Sequence, residues 1–216
     1  RAISRGRTQA VARRVCLSNQ VKGLLHYHGI AFPDVRFSEK TCLWLEKQTL
    51  SSDLQFALTE LISAWREETQ RIKRFTRELK RQAEQDPERS AILTSVPGIG
   101  IVSGRIIANE LGDMKQFSNE GRLFSYVGLT PSEYSSGEEI RRGHIDRRGK
   151  PQLRAILIEI AWRAIEKDRS LQEIYQRIRL TRGGNRAIVA IARRLVGRIR
   201  HCLIHQHLWK DQVSAV

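Results

Sequence analysis

The chain has 216 residues, and 40% of them are apolar, which is enough for a packed core and excludes wholesale disorder. Its 38 Lys and Arg residues outweigh 23 Asp and Glu residues, giving a net charge of +15, so nucleic acid is the first partner to consider. No apolar run approaches the roughly 18 residues that span a bilayer, which excludes a membrane-spanning protein. Three scattered cysteines without a CxxC pair disfavour a disulfide scaffold or a zinc ribbon and favour a reducing cytoplasm.

The first part of the chain predicts three helices. Apolar residues at helical spacing predict a helix over 8–28, Ser38 is placed to cap a short one that ends near Lys47, and a long one follows over about 52–85. The long helix has a 4-3-4-3 heptad spacing that predicts a coiled coil, and its positions are Leu54, Leu58, Leu61, Trp65, Glu68, Ile72, Phe75 and Leu79. That seam either meets another helix, from a second subunit or from residues 8–28, or packs as an ordinary amphipathic face.

Asp86-Pro87 predicts a helix stop and restart, and it is the clearest boundary in the chain. The segments after it predict a mostly α domain, with a basic Gly/Ser segment over 128–149 and a short ribbon near 138–146. The helices predicted here cover 87–95, 101–111, 118–127, 150–168, 170–181 and 184–207.

Val96-Pro97-Gly98-Ile99-Gly100 lies between two of these short helices and predicts a helix-hairpin-helix. Its glycines permit a tight turn, and the N-terminus of the following helix offers backbone N–H groups to a phosphate. Gly98, Ile99 and Gly100 are therefore predicted to contact a nucleic-acid backbone. The alternative is an ordinary tight turn between packed helices.

A Ser/Gly segment followed by a dense cationic stretch is the second motif. Ser135 and Ser136 precede Gly137, and a serine becomes a nucleophile only where a base takes its proton and cations stabilise the phosphoryl charge. By chemistry alone a phosphate-binding loop is the simpler interpretation. The residues predicted to contact nucleic acid here are Arg141, Arg142, His144, Arg147, Arg148, Lys150 and Arg154.

The stretch from Arg177 to Arg200 holds eight arginines and no acid. On its last helix, Arg193 and Arg194 are predicted to contact a phosphate backbone, and the alternative is a solvated face. His201 and His205 have a spacing compatible with a metal, but no third ligand accompanies them, so no metal site is predicted in this chain.

Three strings in order, LTSVPGIG, ANELGDMKQFSNEGRLFSYVGLTPSEYSSG and RRGHIDRRGKPQLRAILIEIAW, closely resemble the C-terminal transposase domain of the insertion sequence 110 (116/110/902) family, which includes the Piv-like DNA invertases. Residues 91–165 carry the resemblance. It implies a helical tail of an N-terminal RuvC-like domain over 1–50, a coiled-coil linker over 51–86 and the transposase domain over 87–216.

The resemblance also implies a function. Full-length members are expected to be RNA-guided DNA recombinases in which an N-terminal DEDD carboxylate set binds Mg²⁺ and a serine attacks the DNA strand. That serine maps to Ser136, with Ser135 as the alternative. The implied partners are DNA, a guide RNA and further copies of the chain joined through the coiled coil. The implied location is the cytoplasm, at a bacterial or archaeal nucleoid.

Because the chain begins at Arg1 without the DEDD carboxylates, we expect it to bind DNA or structured RNA but not to cleave alone. Two other interpretations remain open at this stage. The chain could be a non-catalytic helix-hairpin-helix module that binds nucleic acid, or a chromatin-like packing protein, although the latter leaves the VPGIG and SSG strings unexplained.

Overall fold

The computed structural model describes residues 1–32, 36–133, 142–146 and 148–209. It is mostly helical with a small antiparallel sheet, which confirms the predicted fold class. The elements are α1 (Ala2–Tyr27), α2 (Glu39–Glu46), α3 (Ser52–Glu84), α4 (Pro87–Ser95), α5 (Ile101–Leu111), the 3₁₀ helix η1 (Met114–Gln116), α6 (Glu120–Val127), β1 (Pro131–Glu133), β2 (Arg142–Ile145), α7 (Pro151–Lys167), α8 (Arg169–Arg182) and α9 (Gly184–His205).

The chain divides into two compact units, Arg1–Leu79 and Lys80–Val216. The first unit has its own core, in which apolar residues of α1, α2 and α3 pack together. The fully or nearly buried members of this core are Val21, Leu25, Cys42, Leu45, Leu54, Leu58, Ile62 and Trp65.

The heptad face of α3 packs against α1 of the same chain. The Trp65 indole N–H donates to Ser18 Oγ at 3.1 Å, and Arg7 Nε donates to Thr76 Oγ1 at 3.0 Å. Since the contacts to α3 run backwards along α1, the two helices are antiparallel. This places residues 8–28 as the helix that meets the seam, which was one of the two partners that the spacing left open.

The second unit is built around α9, which contacts α4, α6, α7, α8 and η1. Ile, Leu and Ala recur at helical spacing along α9 and form a buried apolar stripe, which comprises Ile188, Ala192, Leu195, Ile199 and Leu203. Gly183, with φ +79°, separates α8 from α9. That conformation favours glycine and makes the sharp change of direction possible.

Local signals explain most helix ends. Pro87 occupies the first position of α4 as predicted, but the Asp86 carboxylate accepts from Arg105 Nη1 at 3.1 Å rather than from the helix backbone. Gly128 ends α6 with φ +78°. The ribbon begins seven residues before the predicted position, because β1 at Pro131–Glu133 pairs with β2 at Arg142–Ile145.

Candidate nucleic-acid interface

A close crossing of two glycines holds the base of the predicted Ser/Gly/Arg segment. A Cβ on Gly149 would lie 2.3 Å from the Gly128 Cα, so any side chain there would collide with backbone. Arg154 Nη1 donates to the carbonyls of Gly128 at 3.1 Å and Asp146 at 3.2 Å. The end of α6 and the start of α7 are therefore held together where the backbones of Gly128 and Gly149 meet.

The ribbon grows directly from this crossing. Pro131 pairs with Ile145, the Ser132 hydroxyl donates to the His144 carbonyl at 3.0 Å, and the Asp146 N–H donates to the Thr130 carbonyl at 2.8 Å. In sequence, residues 134–141 join the two strands. The strands thus fix where that segment begins and ends.

Beside the ribbon lies a groove of about 890 Å³, formed by β1, β2, the C-terminal end of α8 and the first half of α9. Its described lining contains four arginines and one histidine but no acidic residue. The lining residues are Leu129, Pro131, Gly143, His144, Ile145, Arg177, Ile178, Thr181, Arg182, Asn185, Arg186, Val189, Ala190 and Arg193.

The groove brings together two motifs that are far apart in sequence. His144 is exposed on β2, and Arg193 is half-buried on α9 with its guanidinium 4.7 Å from the centre of the Phe124 ring. Both belong to the predicted nucleic-acid-binding set. A cationic residue over an aromatic ring keeps its charge, so Arg193, which also lines the groove, adds positive charge to that lining.

Three other members of the predicted set lie near the glycine crossing and do not line the groove. Lys150 Nζ is 5.6 Å from the centre of the Tyr126 ring, and Arg154 holds the two carbonyls described above. Arg148 is exposed, and its backbone N–H donates to the Asp146 carboxylate at 2.9 Å. The Asp146 carboxylate therefore accepts a hydrogen bond from the backbone two residues further along the chain.

The predicted nucleophile lies outside the described residues. Ser136, its alternative Ser135, Arg141 and Arg147 all fall in this part of the chain, and Arg142 contributes its backbone to β2. Their predicted roles in catalysis and phosphate contact stay predictions.

The α4–α5 turn packs closely against α7 and the core of the second unit. Gly98 has φ +85°, and a Cβ there would lie 3.0 Å from the Ile160 carbonyl oxygen of α7, while the Ile99 side chain is buried in the core. Gly100 is exposed, caps α5 and has open space around its Cα. Of the three predicted phosphate contacts in this turn, Gly100 is thus the exposed one, and its backbone N–H donates to Ser103 Oγ at 3.0 Å.

Arginines on α8 and at the start of α9 are the groove residues that sequence reasoning did not single out as site residues. Arg177, Arg182 and Arg186 line it, whereas the predicted Arg194 is exposed elsewhere on α9. In the sequence, these arginines were indicated only by the acid-free run 177–200. The fold is needed to show which arginines of that run face the ribbon. Further along α9, Arg198 lies over the Trp209 ring and Arg200 donates to the Phe117 carbonyl.

The described ranges contain neither a metal-ligand cluster nor a membrane-spanning helix. The rings of His201 and His205 are tilted against each other with centres 4.3 Å apart, yet no group of three or more His, Cys, Asp or Glu side chains among the described residues comes together to hold a metal ion. Nor does any helix in those ranges have the length and apolar content needed to cross a bilayer.

Known proteins resemble this chain along most of its length. Residues 90–176 match the family described as Transposase IS116/IS110/IS902. A probable family 20 transposase of Pseudomonas aeruginosa is 30% identical over 204 residues, which cover 88% of this chain and 59% of that protein. The transposase for insertion sequence element IS1328 of Yersinia enterocolitica is 30% identical over 161 residues, covering 74% of this chain and 48% of its own length.

The transposase for insertion sequence element IS1111A of Coxiella burnetii is 28% identical over 200 residues, covering 88% of this chain and 54% of that protein. The chain thus spans about half the length of the curated relatives that it matches. The family match covers most of α4, all of α5 and the ribbon, which lines one side of the groove, whereas the four groove arginines lie beyond the matched residues. Residues 90–176 of this chain thus form a segment of the IS116/IS110/IS902 transposase family, and the chain as a whole is similar to bacterial transposases.

Proposed function

We propose that this chain is the part of a DNA transposase that grips a nucleic-acid backbone beside a serine nucleophile. One observation carries the proposal: β1 and β2, which flank residues 134–141 in sequence, line a groove with four arginines and no acid among its described residues. A phosphodiester entering this groove meets planar guanidinium groups suited to bidentate contact and no opposing charge.

The proposed chemistry is nucleophilic substitution at phosphorus. The hydroxyl oxygen of Ser136 (alternatively Ser135) attacks a DNA phosphodiester, an O–P bond forms, and the bond from phosphorus to the leaving sugar oxygen breaks. A base accepts the hydroxyl proton, the leaving oxygen gains a proton, and the strand is held as a phosphoserine ester. Groove arginines stabilise the charge that grows on the non-bridging oxygens. His144 is proposed to contact phosphate or to protonate the leaving oxygen.

Two further components are proposed for the full-length protein. Its DEDD carboxylates would hold Mg²⁺, and a guide RNA would select the DNA sites in the cytoplasm, at the nucleoid. The described residues of this chain bring no such ligand set together, so we assign no step to a metal. The groove of this chain is proposed to supply the nucleic-acid binding.

Homo-oligomer formation through the coiled-coil helix is also proposed, with one constraint. Leu54, Leu58 and Ile72 of the heptad face are already buried within the first unit. Subunit pairing would therefore use another face of α3, such as the one that presents Phe56, whose side chain is 70% exposed. Analytical ultracentrifugation of Phe56→Gln against the unaltered chain tests this, and an unchanged oligomer would exclude that face.

Binding tests the role of the groove. The double variant Arg182→Ala/Arg186→Ala is expected to bind a labelled DNA at least about tenfold more weakly in fluorescence anisotropy, because two charge-assisted phosphate contacts are lost. The matched control is Arg169→Ala/Arg179→Ala, which removes the same charge from exposed positions of α8 outside the groove. Equal weakening by both pairs would contradict the assignment.

Recombination tests the serine. In a longer parent that recombines DNA, Ser136→Ala is expected to abolish strand exchange and the covalent DNA–protein adduct while DNA binding persists. The variant Ser135→Ala identifies the alternative. Should recombination survive both changes, the second candidate function, a non-catalytic nucleic-acid-binding module carrying the α4–α5 hairpin, becomes the better description.

A further inference from the structure

The groove has two chemically different surfaces. Its floor is apolar and drawn from several elements, with Leu129 buried and Ile145, Ile178 and Val189 half-buried. Its edge is cationic, since Arg177, Arg182 and Arg186 are exposed and Arg193 is fixed over Phe124. A surface meant only for the outside of a duplex needs the cations but has no use for the apolar floor.

The apolar floor matters because a paired duplex keeps its bases stacked inside and offers the protein sugars and charged phosphates. Covering apolar side chains with a phosphate backbone would remove water from the phosphates without giving the side chains an apolar partner. An unpaired nucleotide offers both surfaces at once, since its base has an apolar face and its phosphates are anionic.

We propose that the groove holds an unpaired nucleotide, with the base against the floor and the adjoining phosphates on the arginine edge. This deepens the proposed function and rests on it. The groove volume of about 890 Å³ lies within the range of roughly 300–1,000 Å³ typical of small-ligand sites, so it has room for a nucleotide. Thr181 and Asn185, which also line the groove, supply polar groups for the edge of the base.

The proposal commits to an extruded or single-stranded nucleotide rather than to a duplex surface. The arginines favour this occupant over an apolar peptide, because four cations with no acid among the described lining residues select an anion. Single-stranded DNA and RNA present the same chemistry, and the experiment separates them.

The first test needs no variant. Anisotropy is measured at one salt concentration with four labelled probes: single-stranded DNA, the same strand with one central abasic site, the RNA of the same sequence, and the fully paired duplex. The base-bearing single strand of DNA or RNA is expected to bind about fivefold to a hundredfold more tightly than the abasic strand, because base burial contributes about that much. The duplex is expected to bind more weakly than the single strand.

The second test places the base on the floor. Ile178→Gln makes a half-buried floor position polar, and Leu180→Gln makes the same change on α8 at a side chain that is 86% exposed and does not line the groove. Ile178→Gln is expected to abolish the difference between normal and abasic strands, and Leu180→Gln to preserve it. Val189→Gln, on α9, repeats the test if circular dichroism shows that Ile178→Gln does not fold.

The outcomes separate the inference from the function beneath it. If the abasic strand and the duplex bind as tightly as the normal strand, the base has no place in the groove and the inference is overturned, while nucleic-acid binding stands. If none of the four probes binds, the proposed function fails as well. A preference for DNA over RNA, or the reverse, supports the inference and identifies the strand that supplies the nucleotide.

Discussion

Glu68 occupies a heptad position on α3 that apolar residues otherwise fill, and its surroundings explain why a carboxylate is tolerated. Its side chain is 10% exposed, and its carboxylate accepts from Arg13 Nε at 2.8 Å and from Arg71 Nη1 at 2.6 Å. A buried charge is costly unless it is paired and hydrogen-bonded. The two arginines satisfy that condition, so Glu68 ties α3 to α1 where the apolar seam is interrupted.

The energetic weight of this pair can be measured with a double-mutant cycle. Glu68→Ala with Arg13→Ala should give a coupling energy of about 1 kcal/mol, since one partner is buried and the other half exposed. The exposed pair Arg169–Glu173, at 90% and 67% exposure, is the control and should give about 0.3 kcal/mol. Urea unfolding measures both cycles, and equal values would show that burial of Glu68 adds nothing.

Cys16 and Cys42 differ in accessibility. Burial, reinforced by the Glu39 carboxylate, raises the pKa of the Cys42 thiol from 9.0 to about 11, whereas Cys16 is exposed. We therefore expect iodoacetamide at about pH 8 to alkylate Cys16 rapidly and Cys42 slowly, as followed by peptide mass spectrometry. Comparable rates would contradict the burial of Cys42.

The raised pKa of Cys42 also makes the stability of the fold depend on pH. The fold favours the neutral thiol, so its contribution is fully present below pH 9 and is lost as pH rises through about 11. The free energy of unfolding, measured in urea, should therefore fall between pH 9 and 11 in the unaltered chain. The Cys42→Ala variant should not show this fall.

At the level of elements, helices were the predictable part of the fold. The periodic apolar positions and the Asp86-Pro87 signal placed α3, α4 and α5 within about a residue of their observed ends. The ribbon was predicted too late in the chain because short strands are defined by their pairing. No periodic pattern in the sequence indicates that Pro131 pairs with Ile145. Pairing of β1 with β2 depends on the Gly128–Gly149 crossing, which is a tertiary contact.

The sequence indicated which basic segments form the candidate site, but it did not indicate where in the fold they meet. Acid-free arginines at 177–200 and the cationic segment near His144 were each evident in the sequence, but their meeting in one groove depends on how α8 and α9 pack. Arg154 has a structural contact that its charge did not indicate, while its predicted phosphate contact stays a prediction. Its charge suggested a phosphate contact, whereas its guanidinium holds the base of the ribbon.

The α4–α5 turn allows packing and ligand contact to be tested separately. Gly98→Ala should destabilise the chain by about 1–3 kcal/mol, because its φ is +85° and the new Cβ would press on the α7 backbone. Gly100→Asp should preserve stability, since aspartate is a good N-cap and the position is open, but it should weaken DNA binding if the turn contacts phosphate. Gly100→Ser is the neutral control, and equal binding by both Gly100 variants would exclude the turn as a phosphate contact.

For the whole molecule, the question is whether the net charge of +15 acts diffusely or through the groove. Diffuse attraction draws any polyanion to the surface, whereas direct contacts release a fixed number of counterions from the phosphates. The slope of log K against log salt concentration counts those contacts, at about 0.9 per phosphate for duplex DNA and about 0.7 for a single strand.

The two double variants make that count specific, because each removes the same charge from the same region of the chain. Arg182→Ala/Arg186→Ala should make the slope shallower by about 1.4 on single-stranded DNA, since each lost arginine gives up one phosphate contact. Arg169→Ala/Arg179→Ala should leave the slope nearly unchanged, because those side chains are exposed away from the groove. If both pairs flatten the slope equally, the binding follows net charge, and the groove is then one basic surface among several and not the site that orders the strand.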